Sequence, residues 1–311
     1  MRAPGLGILG VAVVAVCAAV PPLAGQQPVF RAETSLVTVG VTVRDRAGAP
    51  ITDLTAADFS VLEDGRPQSV SYFARGDAEN GAVATHVGLL LDTSGSMGED
   101  IALARSAAIR FLNTLTDAAD MTLVDFDTEV RVARYTQQDF PRMVERIRSR
   151  KAGGMTAMYD ALGVYLDGAA EAEGRTILVL FTDGGDTRSS IAFKDVLTLL
   201  RASNATVYSV GFLDHQPTSI RSEQRLRLTQ MAAETGGEAV FPLSMKEIEV
   251  AYDRVVEGIR AQYTLGYVST NRARDGRWRE LEIKVTRPGV RSSRDLRVQN
   301  RKGYFAPFEK R

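Results

Sequence analysis

From about Thr85 to Arg260 the chain alternates continuous apolar runs with longer amphipathic stretches, and this alternation limits its possible folds more than any other feature. Val87-Gly88-Leu89-Leu90-Leu91 offers nothing polar to either side, as a strand must when helices cover both faces of its sheet. Runs of the same kind recur at 121–126, 176–181 and 206–210. Over 101–115, Ile101, Ala104, Ala108, Phe111, Leu112 and Leu115 follow helical spacing. Further helical stretches fall near 140–147, 157–170, 193–202 and 222–234. A last helix is expected over 244–259, opened by a capping box of Ser244 and Glu247, with Ile248, Tyr252, Val255, Val256 and Ile259 on its apolar face. Strands and helices in this order predict an α/β fold over 85–260: a doubly wound, mainly parallel sheet flanked by helices.

The flanks read as β structure. Residues 35–43 alternate small or polar with apolar side chains, and Asp45-Arg46-Ala47-Gly48 is a turn. Segments 59–63 and 69–73 on either side of Asp64-Gly65 predict a hairpin. Residues 76–84 form a polar, Gly-containing linker. After residue 260, strands are expected at 262–268, 278–286 and 296–299, separated by Asp275-Gly276 and Pro288-Gly289. Strand pairs rarely stand alone, so segments 28–80 and 261–308 are expected to pair into one small β domain.

The first 25 residues fall outside this scheme. Arg2, an apolar run over 6–20 and the exit Pro21-Pro22-Leu23-Ala24-Gly25 have the form of a secretory signal peptide, cut near Ala24 or Gly25. The run is too short to span a membrane. Export to the periplasm or beyond is therefore expected, with no membrane insertion after cleavage. Cys17, the only cysteine, lies in that segment, so the mature chain has no disulfide, zinc-thiolate or thiol chemistry. With 38 Lys+Arg against 38 Asp+Glu there is no basic footprint for nucleic acid.

One loop carries chemistry. Asp92-Thr93-Ser94-Gly95-Ser96 follows the first buried strand, at the carboxyl end where open α/β sheets bind ligands. A carboxylate and two hydroxyls at positions one, three and five converge when the loop curls, and such hard oxygens suit Mg²⁺, Mn²⁺ or Ca²⁺ rather than zinc or copper. Alone the pattern is weak, since about one chain in ten of this length carries it by chance. Two further segments strengthen it. Thr156 sits in Gly153-Gly154-Met155-Thr156-Ala157 just before a helix, and Asp183 follows a strand in Thr182-Asp183-Gly184-Gly185-Asp186. Both should present oxygens at the same sheet edge. Asp127 is a candidate for a group just behind the ligands, whereas Asp125, Asp186, Glu99 and Asp100 read as turn, cap or helix-dipole residues.

On these residues the sequence resembles the von Willebrand factor type A domain with its metal-ion-dependent adhesion site. The family's site is an Asp-x-Ser-x-Ser loop, a Thr from a second loop and an Asp from a third. The resemblance puts these roles on Asp92, Ser94, Ser96, Thr156 and Asp183. Met155 stands where the family often has a glycine. More closely, the chain looks like secreted bacterial proteins related to that domain. Val61-Leu62-Glu63-Asp64-Gly65, Tyr263-Thr264-Leu265-Gly266-Tyr267, Asp275-Gly276-Arg277 and Arg301-Lys302-Gly303-Tyr304 carry this likeness, which covers about 30–308.

The resemblance implies a non-enzymatic adhesion module in which a partner protein's Asp or Glu completes the shell of a bound Mg²⁺, with Mn²⁺ or Ca²⁺ as alternatives. Two carboxylates supply a charge of about −2, too little to over-neutralise a divalent ion, and Mg²⁺ keeps waters where protein ligands are lacking. Two other readings stay open. A metal-dependent phosphoryl hydrolase also suits an Asp-first loop, but it needs a nucleophile or base, and His86 and His215 are isolated in sequence. A metal-free scaffold that only holds the β segments is the third.

Overall fold

The computed structural model describes residues 36–75, 84–114, 118–169, 174–243, 245–287 and 296–309, all within one compact unit. The expected signal segment, nearly all of the 76–84 linker, the Ser244 cap, the side chains of Ile248 and Tyr252, and Pro288-Gly289 lie outside the described residues. The chain opens with β1 (Leu36–Arg44), β2 (Phe59–Glu63), β3 (Arg66–Gln68) and β4 (Val70–Arg75). Next come β5 (Thr85–Asp92), α1 (Ile101–Thr114), β6 (Asp120–Phe126), β7 (Val130–Tyr135), α2 (Phe140–Ser149) and α3 (Met158–Ala169). They are followed by β8 (Arg175–Thr182), α4 (Phe193–Ala202), β9 (Ala205–Gly211), α5 (Thr218–Glu234), β10 (Ala239–Val240) and α6 (Met245–Arg260). Four strands close the chain: β11 (Tyr263–Val268), β12 (Trp278–Val285), β13 (Arg297–Asn300) and β14 (Gly303–Phe305).

The central sheet runs β10-β9-β8-β5-β6-β7. Its first five strands are parallel, and β7 closes the edge antiparallel to β6, making the sheet mixed. Successive residues of the apolar runs serve opposite faces. Leu89 and Leu91 pack with Phe111, Met143 and Val256 from α1, α2 and α6, while Leu90 packs with Leu162, Val196 and Leu228 from α3, α4 and α5. Two packed faces require a run with no polar register, and that accounts for the sequence of β5 and β8.

The strands before and after this unit do pair with one another, in two sheets rather than the expected one. β13-β1-β11-β4 and β14-β12-β2-β3 each mix strands from both ends of the chain. They share a core of Val39, Val41, Phe59, Val61, Tyr263, Leu265, Leu281 and Ile283. The hairpin at Asp64-Gly65 returns through β3, with Val61 opposite Gln68 and Glu63 opposite Arg66, whereas β4 crosses to the other sheet and pairs with β11. The short return fits Pro67, which an edge strand tolerates.

Glu63 ties the two sheets together. Its buried carboxylate accepts hydrogen bonds from the Tyr267 hydroxyl at 2.8 Å, the Tyr304 hydroxyl at 2.8 Å and Ser269 Oγ at 2.6 Å. Arg301 lies over the Tyr304 ring and donates to the Thr38 carbonyl and to Asn204 Oδ1. Three of the segments quoted above, 61–65, 263–267 and 301–304, thus meet around one buried carboxylate.

The same arginine begins the seam to the α/β unit. Thr235 bridges Arg301, Arg44 pairs with Glu238, and Gln262 Nε2 donates to Thr206 Oγ1. These contacts, with Arg175 donating to the Ile259 carbonyl, fall at the edge where the parallel strands start. Among the described residues no helix is long and apolar enough to cross a membrane.

Candidate metal site

At the opposite edge, where β5 and β8 end, three loops are laced together by backbone. Thr93 N–H and hydroxyl both donate to the Phe126 carbonyl, at 2.7 and 3.0 Å, bending the chain after Asp92 toward the end of β6. Gly95 N–H donates to the Gly154 carbonyl and Gly153 N–H to the Thr93 carbonyl, joining the first loop to the second. The approach is close: a Cβ on Gly95 would lie 3.1 Å from that carbonyl. Gly154 adopts φ +78°, and a Cβ there would lie 2.5 Å from Thr128 Oγ1, so both its conformation and its surroundings call for glycine. Thr187 and Arg188 N–H both donate to the Thr156 carbonyl, and Thr156 N–H donates to Thr187 Oγ1, joining the second loop to the third.

This lacing gathers the five candidate ligands. Asp92, Ser94, Thr156 and Asp183 are buried, and Ser96 is exposed. Ser94 N–H donates to Asp92 Oδ1 at 2.9 Å, and the Ser94 and Ser96 hydroxyls lie 3.1 Å apart. Ser96, Thr156 and Asp183 line one open cleft of about 370 Å³, with Gln216 and the Ile220, Gln224 and Arg227 side of α5 as its far wall. Two residues that the sequence did not single out hold the carboxylates. Thr182 Oγ1 donates to Asp92 Oδ2 at 2.6 Å, and Gln216 Nε2 donates to Asp183 Oδ2 at 3.0 Å. Thr182 could have been noticed as the residue before Asp183, but Gln216 follows β9 and carries no local signal.

Asp127 is placed differently. Both its carboxylate oxygens accept from Arg131 Nη2 at 2.9 Å, while its carbonyl accepts from Ala157 N–H and so steadies the residue after Thr156. Its neighbour Asp125, as buried as Asp92 and Asp183, gives an instructive contrast, being surrounded by Arg131, Arg146 and Arg150 at 3.4, 2.6 and 2.9 Å. Among the described residues, no Lys, Arg or His pairs with Asp92 or Asp183. Burial, and next the negative charge of Asp183, push the Asp92 carboxyl up to about 7.

Buried carboxylates without a cationic partner are costly, and proteins normally pair them or give them a metal. The donors around them suit a hard cation. Among the described residues no group of three or more His, Cys, Asp and Glu forms a metal cluster; the candidate set is two carboxylates and three hydroxyls, all oxygen. The residues therefore fit a divalent ion of the Mg²⁺ type.

A mainly parallel sheet sandwiched by helices, with an Asp-x-Ser-x-Ser turn, a Thr loop and an Asp loop at its carboxyl edge, defines a class of α/β domain. Residues 86–249 match the model of the von Willebrand factor type A domain, and the chain belongs to that family. No curated protein matches the chain. Among solved structures it is similar to a von Willebrand factor type A protein from Catenulispora acidiphila, at 14% identity and TM-score 0.47 over 81% of this chain and 74% of that one. It is also similar to a mutant of the PilB minor pilin from Streptococcus sanguinis, at 14% identity and TM-score 0.47, covering 60% of this chain and 63% of the pilin. A third similar structure is the pilus adhesin SpaC from Lactobacillus rhamnosus GG in its open conformation, at 10% identity and TM-score 0.49 over 86% of this chain and 48% of the adhesin.

Proposed function

We propose that this chain is an exported, non-enzymatic binding module that holds a divalent cation, Mg²⁺ first among them, through Asp92, Ser94, Ser96, Thr156 and Asp183. The observation that carries the reading is the pair of buried carboxylates, Asp92 and Asp183, without a cationic side chain among the described residues, while Asp125 nearby has three. A bound divalent cation supplies an electrophilic coordination position that a partner protein's Asp or Glu fills. The chain's own residues do the rest. Thr182 and Ser94 N–H fix both Asp92 oxygens, Gln216 and Gly185 N–H fix both Asp183 oxygens, and the Gly154 lacing keeps Thr156 at the cleft. Residues held this way are preorganised, so little ordering remains when a partner arrives. The apolar segment 6–20 supports export.

The hydrolase reading is less well served. Asp92 is clamped on both oxygens rather than poised as a nucleophile, and His215 is engaged with Glu99 and Asp100.

The test is thermal unfolding under Mg²⁺ titration. A ligand that binds only the folded state adds about 2.7 kcal/mol at a hundredfold excess over Kd, which raises Tm by several degrees. Asp92→Ala should abolish the rise. A melting curve indifferent to Mg²⁺, Mn²⁺ and Ca²⁺ leaves the scaffold reading, and sustained Mg²⁺-dependent turnover of phosphate esters lost in Asp92→Ala favours the enzyme.

A further inference from the structure

At the other end of β5 lies a second cleft, of about 300 Å³, formed where β5, β6 and β7 meet the end of α3. Its wall carries His86, Asp120, Arg134 and Tyr165, with Val132 and Val164 as apolar flanks. The metal-site reading uses none of these residues.

Tyr165 is the notable one. The residue is 4% exposed, yet among the described residues its hydroxyl makes no hydrogen bond, although it belongs to the cleft wall. Burial pushes the phenol up, so it stays a neutral donor. Room for it comes from Gly88, where a Cβ would lie 2.5 Å from the Tyr165 hydroxyl. The hydroxyl is not among the buried polar atoms left without a partner, so it reaches the open cleft. It is thereby presented, without a protein partner among the described residues, to whatever enters the cleft.

Arg134 stands at the mouth. Its Nη2 donates to the Gly168 carbonyl at 2.5 Å, which fixes the guanidinium at the end of α3. A guanidinium has five N–H donors, and among the described residues no carboxylate pairs with this one. The acid of the cleft, Asp120, is engaged with His86 at 2.9 Å. An unpaired cation, a neutral hydroxyl donor and two exposed valines together describe a receptor for a single negative charge on a small apolar body. Asp120 in the same wall disfavours a dianion such as a phosphate monoester.

We infer that this cleft is a second ligand site, distinct from the metal loops, which binds a small organic monocarboxylate through Arg134 and the Tyr165 hydroxyl. The carboxylate bridges the guanidinium and the phenol, and the apolar part lies against Val132 and Val164.

The experiment is an amide NMR titration of the full mature chain with butyrate and benzoate, against butyramide and benzamide as uncharged controls. Saturable shifts centred on Gly88, Arg134 and Val164 are expected with the acids and not with the amides. Tyr165→Phe and Arg134→Gln should each weaken binding about tenfold, the loss of one good hydrogen bond to a charged group. Arg134→Lys should restore part of it, and the Mg²⁺ response should stay unchanged in all three. No saturable shift in the wild type, equal binding of the amides, or unaltered affinity in Arg134→Gln would overturn the assignment.

Discussion

Glu63 is a carboxylate buried with three hydroxyls and, among the described residues, no ion pair, an arrangement stable only while its hydrogen bonds are complete. Tyr267→Phe removes the most deeply buried of those donors and leaves the charge short of one partner. A loss of about 1.5–3 kcal/mol is expected, read as a lower denaturation midpoint at unchanged slope. Tyr304→Phe should cost less because water reaches its half-buried hydroxyl more easily. The individual residues of this cluster were visible as motifs, but their meeting was not: Tyr267 and Tyr304 lie 204 and 241 positions from Glu63. Most of the candidate metal ligands were easier to find because Asp92, Ser94, Ser96 and Asp183 stand at or just after the ends of β5 and β8 in the same sheet, whereas Thr156 had only its Gly-containing loop ahead of α3. Topology alone then brings the first four to one edge. Thr182 and Gln216, which hold the two carboxylates, have no pattern of their own.

Among the elements, the strands most legible in the sequence were those buried on both faces. β5, β6, β8 and β9 all lie where continuous apolar runs place them, and the helices follow from their apolar stripes. β7 escaped notice because Arg131 and Arg134 interrupt it, charges that suit an edge strand but hide its pattern. The hairpin at Asp64-Gly65 was legible as a turn but not in its return arm, because 69–73 has strand character whichever sheet it joins. Packing between elements makes a sharper prediction. α3 lies on β5 with Tyr165 over Gly88, so Gly88→Ala drives a methyl into the ring. Overpacking of this kind costs about 1–3 kcal/mol, and calorimetry should show the loss while secondary structure by circular dichroism is kept.

Over the whole molecule, the α/β unit and the sandwich meet in part through charged side chains. Glu234 at the end of α5 takes both Arg201 nitrogens at 2.9 Å and has Lys302 of the sandwich at 3.9 Å. Chiefly through the Arg201 hydrogen bonds, its carboxyl is held below the usual carboxylate range, against the opposing effect of burial. The stabilisation is therefore complete above the unfolded value of 4.5 and is lost as pH falls through the lower folded value. Arg201→Gln should flatten the acid side of a plot of Tm against pH and change it little near neutrality. That two flanking segments would pair was foreseeable because strand pairs rarely stand alone. That they form two sheets was not, since sheet membership depends on long-range register. The sandwich grips the edge where the parallel strands begin, and the candidate ligands stand where those strands end. On the proposed function, a pull between a partner at the metal loops and the sandwich would run lengthwise along β5 and β8. Their ladder bonds would resist such tension as a group, in shear, rather than opening one after another.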